Sequence, residues 1–537
     1  MAIATCPLAP DFHAQAQLQQ QHIRTAINNG LARHFSNFRP QQAMVEPSFF
    51  SEMLGVQGRM DFLQLDQQLL IEQKAGKGGF PAIDNNTPIA QEKHYVQLLL
   101  YMLLLRYNYR EQYEHNRPGL RAFLLYSKYE NSLLEVGFSP KLMFEAIAMR
   151  NAIAANEYQL AKNGYGLLTT LTPDMLNERN VSGVLWRQYQ RPQLEALLQP
   201  IHAASPLEQA YYVRMLSFVG MEHLLAKVGS QTKANAGFAD KWYSSLEAKQ
   251  QAGTIYDGLR LLQPAATDTG RTSRIVLAID EKPYGDVTNF RKGDIVVLYP
   301  YAEGHEPDVR KSMVFRCTIE DITLHPQPST LHPQPSTLTL SLRATQVDAR
   351  VFWYQPSALW AIEHDLFESS FTPLYRGLHA FLSAPQERRD LLMLQRPPRH
   401  DDSLTLTGDY GAFNELALRV KQARDLFLII GPPGTGKTSF GMLTTVKEQL
   451  LTPNTSILLL AYTNRAVDEI CSKLVEEDIS FIRIGSRFGC EEAYRPYLLE
   501  TYAGECSNVD ELRNMIAAAR VMVGTTTAFN GNTALLS

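Results

Sequence analysis

The sequence predicts a multidomain α/β protein, and three observations support this fold class. The chain has 537 residues, which at roughly 150 residues per domain corresponds to about three or four domains. Residues 411–537 alternate apolar strands with helical segments, as a parallel sheet requires, and residues 270–345 contain successive strands separated by turns. An apolar fraction of 45% with 20% charged residues is typical of packed domains and excludes disordered, collagen-like and coiled-coil chains.

The overall charge and the cysteine pattern exclude several classes of protein. The 51 basic and 55 acidic residues give a net charge of −4, so nucleic acid cannot be bound through bulk positive charge. The most apolar run, residues 98–105, is too short to cross a bilayer, and the first residues lack the features of a signal peptide. The five cysteines contain no CxxC pair, which argues against a disulfide framework and a structural zinc site. We therefore expect a cytoplasmic protein with no membrane partner.

Residues 1–160 contain a group of polar residues suited to metal-dependent chemistry. The group consists of Gly58-Arg-Met-Asp61, Glu72-Gln-Lys74 and His94-x-x-Gln97-x-x-x-Tyr101. Residues 62–65 and 69–74 are predicted to form two strands joined by a turn. Glu72 and Lys74 would then share one face of the second strand, and Asp61 could face them from the neighbouring strand. Two carboxylates form a hard oxygen site for Mg²⁺ or Mn²⁺, and Lys74 would orient water or stabilise the charge on a scissile phosphate.

Gln97 and Tyr101 are four residues apart on a predicted apolar helix and therefore share a face with His94. An E-x-K pattern by itself also fits an exposed charged strand, but its combination with G-R-x-D and Q-x-x-x-Y is much more specific. Over residues 20–150 the pattern resembles the RecB-like branch of the PD-(D/E)xK nucleases. The resemblance implies the PD-(D/E)xK nuclease fold, with these catalytic residues: Asp61, Glu72, Lys74, Gln97 and Tyr101.

That family often adds a metal ligand from a G-x-x-x-H helix, and Gly30-Leu-Ala-Arg-His34 has this spacing. The resemblance therefore implies a metal site formed by Asp61, Glu72 and His34. Glu46 competes for the third position, and a helix histidine with ordinary hydrogen bonds is the alternative reading of His34. Some members carry an iron–sulfur cluster on four cysteines. We expect none here, because Cys6 is the only cysteine before Cys317.

The middle of the chain divides by its pattern into three predicted regions. Residues 161–265 have helical spacing and form a helical connector. Residues 266–345 form a small β-barrel or sandwich. Residues 346–410 form a helical flank, which includes the segment Trp360–Asp365, and a polar linker.

Residues 431–438 (GPPGTGKT) have the pattern of a phosphate-binding loop between a predicted strand, residues 426–430, and a predicted helix, residues 439–450. The glycines let backbone N–H groups close around phosphate oxygens at a helix N-terminus. Lys437 would reach the β- and γ-phosphates, and Thr438 would bind Mg²⁺. We expect ATP to be bound by Gly431, Pro432, Pro433, Gly434, Thr435, Gly436, Lys437, Thr438 and Ser439.

The amino-acid sequence of this loop resembles that of the corresponding loop in superfamily 1 helicases of the Upf/NAM7-like branch. The following strands, SILLLA, FIRIG and VMVGTTT, are similar to those of the same branch. Phe413-Asn414 resembles the start of the adenine-reading segment, with Ala417 in place of its glutamine. The branch also carries an accessory barrel before its motor. The resemblance implies that nucleic acid contacts these residues: Thr463, Asn464, Thr525, Thr526 and Thr527.

A nuclease, helices, a barrel and this type of motor, in that order, resemble the nuclease–helicases that process flaps in DNA replication and repair. The resemblance implies metal-dependent cleavage of single-stranded or flap DNA, coupled to ATP-driven 5′–3′ translocation. Nothing after Thr527 resembles the acidic strand that completes the Mg²⁺ shell. We therefore expect an incomplete RecA-like domain over residues 411–537, a defective ATPase and an unpaired sheet edge near residues 521–523.

Two other functions fit the same motifs. One is an RNA or DNA helicase of the Upf-like branch, whose N-terminal region binds nucleic acid without cutting it. The other is a truncated nucleic-acid-binding remnant that catalyses no reaction.

Overall fold

The computed structural model describes most of the chain, and the described residues form two compact units. The barrel unit is built from residues 9–159 and 224–366, and the phosphate-loop unit from residues 160–223 and 367–530. Within the described ranges, no helix combines the length and apolarity needed to cross a membrane. The described residues are 9–35, 38–39, 42–64, 66, 68–79, 86–109, 119–229, 237–266, 271–279, 289–324, 336–342, 347–348, 352, 358–365 and 371–530.

Helices occur in both units, and a π-helical turn, Ala26–Gly30, joins the first two. In chain order the helices are α1 (Phe12–Thr25), α2 (Leu31–His34), α3 (Glu92–Asn108), α4 (Pro140–Asn163), α5 (Arg191–Ala203), α6 (Pro206–Val228), α7 (Asp240–Tyr243), α8 (Leu246–Gln251), α9 (Phe371–Ser383), α10 (Gln386–Leu392), α11 (Asn414–Gln422), α12 (Leu443–Leu450), α13 (Asn464–Glu476), α14 (Leu499–Glu505), α15 (Val509–Ala518) and α16 (Thr526–Asn530).

After α1 and α2, the barrel unit contains a hairpin and a mixed five-stranded sheet. The strands are β1 (Ala43–Val45), β2 (Ser48–Ser51), β3 (Val56–Arg59), β4 (Phe62–Gln64), β5 (Leu69–Lys74), β6 (Arg121–Tyr126) and β7 (Leu133–Val136). β2 and β3 pair as the hairpin, and the sheet order is β1-β4-β5-β6-β7. β5 and β6 run parallel and are connected through α3, whereas the other neighbours are antiparallel.

Strand β5 is central because both of its faces are covered. Leu69 and Ile71 pack with Leu31 of α2 on one face, and Leu70 packs with Leu98 of α3 on the other. A strand covered on both sides needs apolar residues at successive positions, which LLI supplies. Its polar residues follow at the carboxyl end. The two strands predicted over residues 62–65 and 69–74 are confirmed for their described residues.

The second sheet of the barrel unit is a closed barrel of six strands, with which a seventh, short strand also pairs. The order is β12-β11-β10-β14-β8-β9, and a β12–β9 ladder closes the ring. The predicted small barrel is therefore confirmed. Its strands are β8 (Ile255–Ala266), β9 (Arg271–Ile279), β10 (Ile295–Ala302), β11 (Phe315–Thr323), β12 (Ser336–Leu342), β13 (Val347–Asp348) and β14 (Ala358–His364).

Two secondary-structure predictions at the borders of the barrel are wrong. Helix was predicted up to residue 265 and around Trp360, but β8 begins at Ile255 and β14 covers Ala358–His364. In β14, Trp360 packs into the barrel core while Ala361 packs into a second cluster on the other side. Because both faces are buried, the strand lacks the polar–apolar alternation by which a strand is recognised.

The phosphate-loop unit contains a parallel sheet with strand order β15-β17-β16, as the predicted βαβ pattern requires. The strands are β15 (Ile457–Ala461), β16 (Ile482–Ile484) and β17 (Val521–Thr525). One apolar cluster includes Val467 of α13 and Val523, and a second includes Ile484 and Phe529. Helices therefore pack on both faces of the sheet at β16 and β17, whereas Leu458 and Leu460 of β15 are 38% and 45% exposed.

Two further predictions about this sheet are wrong. Residues 426–430 do not form a strand, and Leu428 and Ile430 are 71% and 92% exposed. A strand needs a hydrogen-bonded neighbour, and none of the described strands pairs with this segment. Val521–Thr525 is not an edge either, because β17 pairs with β15 on one side and β16 on the other.

Candidate functional site

Three predicted catalytic residues meet at the carboxyl end of β5. The Lys74 Nζ donates to Oε1 of Glu72 at 2.5 Å, so the two side chains share one face of the strand. The backbone N–H of Gln73 donates to Oδ2 of Asp61 at 2.7 Å. Since Phe62 pairs with Ile71 in the antiparallel β4–β5 ladder, Asp61 lies opposite Glu72. The structure thus brings both carboxylates and the lysine together.

Only one of the two carboxylate oxygens of Glu72 has a hydrogen-bond partner among the described residues. The residue is 2% exposed, and among the described residues its Oε2 atom has no hydrogen-bond partner. Burial raises the pKa of Glu72, whereas the hydrogen bond from Lys74 acts in the opposite direction, and the nearby charge of Asp61 raises it further. An unpaired buried carboxylate oxygen is energetically costly, so a cation at Oε2 would be strongly stabilising.

Helix α3 presents Gln97 and Tyr101 to the same site. Gln97 Nε2 donates to the Tyr101 hydroxyl at 2.9 Å, and that hydroxyl donates to the Arg59 carbonyl at 2.8 Å, two residues before Asp61. Burial raises the pKa of Tyr101, and the negative charges of Glu72 and Asp61 add to the shift. The tyrosine therefore stays protonated and fixes the backbone that leads into Asp61.

The G-R-x-D motif requires glycine at position 58 for a steric reason. A Cβ atom on Gly58 would lie 2.8 Å from Cε1 of Tyr101, which is closer than side-chain carbons approach one another. The sequence motif and the helix motif thus meet through a contact that only glycine permits. Gly58 belongs to the predicted motif but was not among the predicted site residues.

Glu46 and His34 are the two candidates for the third metal ligand. Glu46 has the left-handed φ of 57°, donates its N–H to the Asp61 carbonyl at 3.2 Å and pairs with Arg59 at 3.5 Å. His34 ends α2, but its side chain lies outside the described residues. Among the residues that the structure does describe, no three His, Cys, Asp or Glu side chains form a metal-binding group. Asp61 and Glu72 are the carboxylates that the described residues place together beside Lys74, and Glu46 pairs with Arg59.

The backbone of the phosphate loop adopts the left-handed conformation at two of its glycines. Gly434 and Gly436 have φ values of 79° and 78°, in the left-handed region that glycine adopts without strain. The Lys437 Nζ donates to the carbonyls of Gly431 and, at 2.8 Å, Pro432, so its side chain folds over the loop. Thr438 and Ser439 follow within a π-helical turn that leads into α12. The predicted ATP-binding residues therefore form one continuous loop and helix start.

A buried carboxylate that sequence reasoning missed anchors the segment before the loop. Glu448 of α12 is 1% exposed and accepts hydrogen bonds from Lys421 at 2.5 Å, the N–H groups of Thr407 and Gly408, and the Tyr410 hydroxyl. Burial alone would raise the pKa of Glu448, but these donors lower it to about 2. Its partners lie 27 to 41 residues away in sequence, so no local pattern could reveal them.

The segment that resembles an adenine-reading motif packs next to this anchor. The ring of Phe413 stacks on Phe440 with centroids 5.3 Å apart, and Asn414 accepts the Tyr410 N–H at 2.6 Å. Ala417, where glutamine was expected, is 1% exposed and lies in the packed face of α11. The segment therefore contributes an aromatic stack beside the phosphate loop.

The predicted nucleic-acid contacts converge on one edge of the parallel sheet. Ala461 and Thr525 are paired at the ends of β15 and β17, so Thr463–Asn464 and residues 525–527 follow neighbouring strands. The Thr463 hydroxyl accepts the Ala466 N–H at 3.2 Å, and that of Thr525 accepts the Ala528 N–H at 3.1 Å. Both threonines thus bond to helix N-termini, and each hydroxyl retains its own hydrogen for donation.

Comparisons with known proteins agree with the motifs. Residues 414–521 match a family described as an AAA domain. The DNA replication ATP-dependent helicase/nuclease JHS1 of Arabidopsis thaliana is 30% identical over 202 residues, which cover 34% of this chain and 15% of that protein. The DNA replication ATP-dependent helicase/nuclease dna2 of Schizosaccharomyces pombe is 29% identical over 163 residues, which cover 29% of this chain and 11% of that protein.

A helicase without nuclease in its name is also similar. The DNA polymerase alpha-associated DNA helicase A of Schizosaccharomyces pombe is 40% identical over 88 residues, which cover 15% of this chain and 13% of that protein. The chain spans 15% or less of the length of these three relatives. The predicted resemblance to nuclease–helicases of DNA replication is confirmed by these matches.

Proposed function

We propose that this chain carries the metal-dependent DNA nuclease site and the ATP-binding loop of a nuclease–helicase of DNA replication or repair. The observation that carries the nuclease half is the buried Oε2 atom of Glu72, which lacks a partner among the described residues beside Asp61 and Lys74. The similarity to relatives that are named helicase/nuclease supports the same proposed function.

The donor set fits Mg²⁺ or Mn²⁺. Two carboxylates supply hard oxygen ligands, and a dication would give Glu72 Oε2 the partner that it lacks. Asp61 and Glu72 would hold the ion, with His34 as the proposed third ligand and Glu46 as its competitor. A bound ion would activate water and neutralise charge on the scissile phosphate.

The protein's own residues would position this reaction. The ion pair with Glu72 holds the Lys74 amino group at the site, where it would orient water or stabilise the developing negative charge. Tyr101 and Gln97 would act as positioning residues, because they hold the Arg59–Asp61 backbone and not the carboxylates themselves. The parallel β5–β6 pair crossed by α3 supports the PD-(D/E)xK fold.

The phosphate-loop unit would bind Mg·ATP and DNA. Lys437 would contact the β- and γ-phosphates and Thr438 the Mg²⁺ ion. Thr463, Asn464 and residues 525–527 would contact single-stranded DNA at the carboxyl edge of β15 and β17. In the nuclease–helicase this unit would take part in ATP-driven 5′–3′ translocation that delivers single-stranded or flap DNA.

The decisive experiment assays the 537-residue protein for cleavage of labelled single-stranded DNA and RNA with Mg²⁺ or Mn²⁺. We expect DNA cleavage that falls to background in Glu72→Gln and in Asp61→Asn. A matched control is Glu135→Gln, which neutralises an exposed glutamate paired with Arg121 two strands away and should cut normally. Lys437→Ala should lose ATP binding and keep cleavage.

Each other outcome has a definite meaning. Cleavage that survives Glu72→Gln would show that the nuclease site is misassigned. Binding of RNA or DNA without any cleavage in either metal would favour a helicase with a non-catalytic N-terminal module. ATP binding that survives Lys437→Ala would refute the assignment of the phosphate loop.

A further inference from the structure

We propose that His94 binds a phosphate of the DNA strand at the nuclease site through its Nε2–H group, and that Tyr126 holds the imidazole in the tautomer that makes this donor. The proposal rests on the nuclease function proposed above and adds a substrate-binding residue to it.

His94 is placed at the edge of the metal-binding face. It lies in the first turn of α3, three residues before Gln97 and seven before Tyr101, and these spacings put all three on one side of the helix. Tyr126 ends β6 directly beside Lys74 in the parallel ladder, so its side chain projects from the same face as Glu72 and Lys74. His94 is half-buried, whereas Tyr126 is fully buried beneath it.

The hydrogen bonds around Tyr126 determine the histidine tautomer. The hydroxyl oxygen accepts the backbone N–H of Gln91 at 2.9 Å and lies 2.9 Å from Nδ1 of His94. A buried hydroxyl must also donate its hydrogen, and among the described residues Nδ1 is the acceptor within reach. Nδ1 is therefore unprotonated, and the proton of the neutral ring is on Nε2, the atom not used by Tyr126.

The surroundings keep the ring neutral and favour an anion as its ligand. Burial lowers the pKa of His94, and the positive charges of Lys74 and Lys93 lower it further. A neutral Nε2–H can only donate, and a phosphate oxygen is the acceptor that single-stranded DNA offers most often. With Lys74 nearby, the pair supplies one charged and one neutral donor to the backbone of the bound strand.

Two substitutions separate this role from a structural one. In His94→Gln the amide nitrogen can replace Nε2, whereas in His94→Asn the shorter amide can replace Nδ1 against Tyr126 but leaves no donor at the outer position. We expect His94→Gln to cleave single-stranded DNA with a KM within about 3-fold of the original protein. His94→Asn should raise KM by about 10- to 100-fold, as expected for loss of a hydrogen bond to a charged group, with little change in kcat.

The opposite ranking of the two variants in DNA cleavage would overturn the proposal. If His94→Asn cuts normally and His94→Gln does not, His94 only supports Tyr126. Equal KM values in both variants and the original protein would likewise exclude a substrate contact. Thermal melting of both variants checks that each one folds, and Glu72→Gln shows separately whether the nuclease function itself holds.

The tautomer and the contact can also be measured without cleavage. In ¹⁵N-histidine NMR spectra, with the His94 signals assigned through His94→Gln, we expect a protonated Nε2 and an unprotonated Nδ1. Tyr126→Phe should release the ring into a mixture of both tautomers. Addition of an oligothymidylate with Ca²⁺ should shift the Nε2 signal of His94, and an unchanged signal would overturn the proposal even if the protein cuts no DNA.

Discussion

Replacing Gly58 with alanine tests whether the nuclease site depends on close packing between β3 and Tyr101. The new Cβ would lie 2.8 Å from Cε1 and 3.0 Å from Cδ1 of Tyr101, and 3.3 Å from Cδ1 of Leu104, whereas ordinary contacts begin at 3.4 Å. The aromatic ring must therefore retreat by about 0.6 Å or more. Tyr101 is 9% exposed and packed in the core, so it cannot move without disturbing its neighbours.

The structure sets the size of the expected effect. Overpacking a filled core costs about 1–3 kcal/mol of unfolding free energy. A retreating ring also pulls the Tyr101 hydroxyl away from the Arg59 carbonyl, and this displaces Asp61. Because misplacement of a reacting group by about 1 Å can cost about 100-fold in rate, we expect Gly58→Ala to lower kcat for DNA cleavage by about 10- to 100-fold.

The assay is a double-mutant cycle on stability and cleavage. In a Tyr101→Ala background the conflict with the ring is gone and only the 3.3 Å approach to Leu104 remains, so Gly58→Ala should then change the unfolding free energy by less than about 0.5 kcal/mol. Gly76→Ala is the matched control, since a Cβ there would have no atom of the described residues within 4 Å. If Gly58→Ala costs as much with alanine at position 101 as with tyrosine, the reasoning from this contact is wrong.

Two further predictions concern buried charges in the phosphate-loop unit. Glu448→Gln should lower the unfolding free energy by about 1.5–3 kcal/mol at pH 7. Because the pKa of Glu448 is lowered from 4.5 to about 2, its charge contributes above pH 4.5 and that contribution is lost toward pH 2. Urea unfolding should therefore show the difference shrinking over this range, and a constant difference would contradict the assignment. Arg483→Met should cost about 3–5 kcal/mol in denaturant unfolding, because it leaves the buried Asp468 carboxylate without its ion-pair partner. A combined Arg483→Met, Asp468→Leu protein should recover much of that loss, and no recovery would show that the arginine acts mainly through packing.

The residues of the candidate nuclease site could be predicted because their arrangement follows from local geometry. Glu72 and Lys74 are two residues apart on a strand, and Gln97 and Tyr101 are four apart on a helix, so spacing alone puts each pair on one face. The sequence could not predict the hydrogen bond of Tyr101. Its hydroxyl donates to a backbone carbonyl 42 residues away, so this contact with the backbone before Asp61 is visible only in the folded chain.

The wrong predictions arise where a pattern needs information from distant residues. The apolar segment at residues 426–430 has the composition of a strand, yet a strand forms only where a neighbour supplies hydrogen bonds. In β14 the helix-like texture comes from burial on two faces, one toward the barrel core and one toward a cluster that includes Phe50 of β2. Both errors concern which elements lie next to one another, and composition does not determine this.

Both candidate sites lie at the carboxyl ends of two neighbouring parallel strands. β5 and β6 are parallel neighbours, and at their carboxyl ends lie Glu72, Lys74 and Tyr126. β15 and β17 are likewise parallel, and the predicted nucleic-acid contacts follow their carboxyl ends. Helices pack along parallel strands but leave their carboxyl ends open, so polar side chains at those ends can meet a ligand. The sequence predicted the strands β5, β15 and β17, and long-range pairing decides which strand ends share a site.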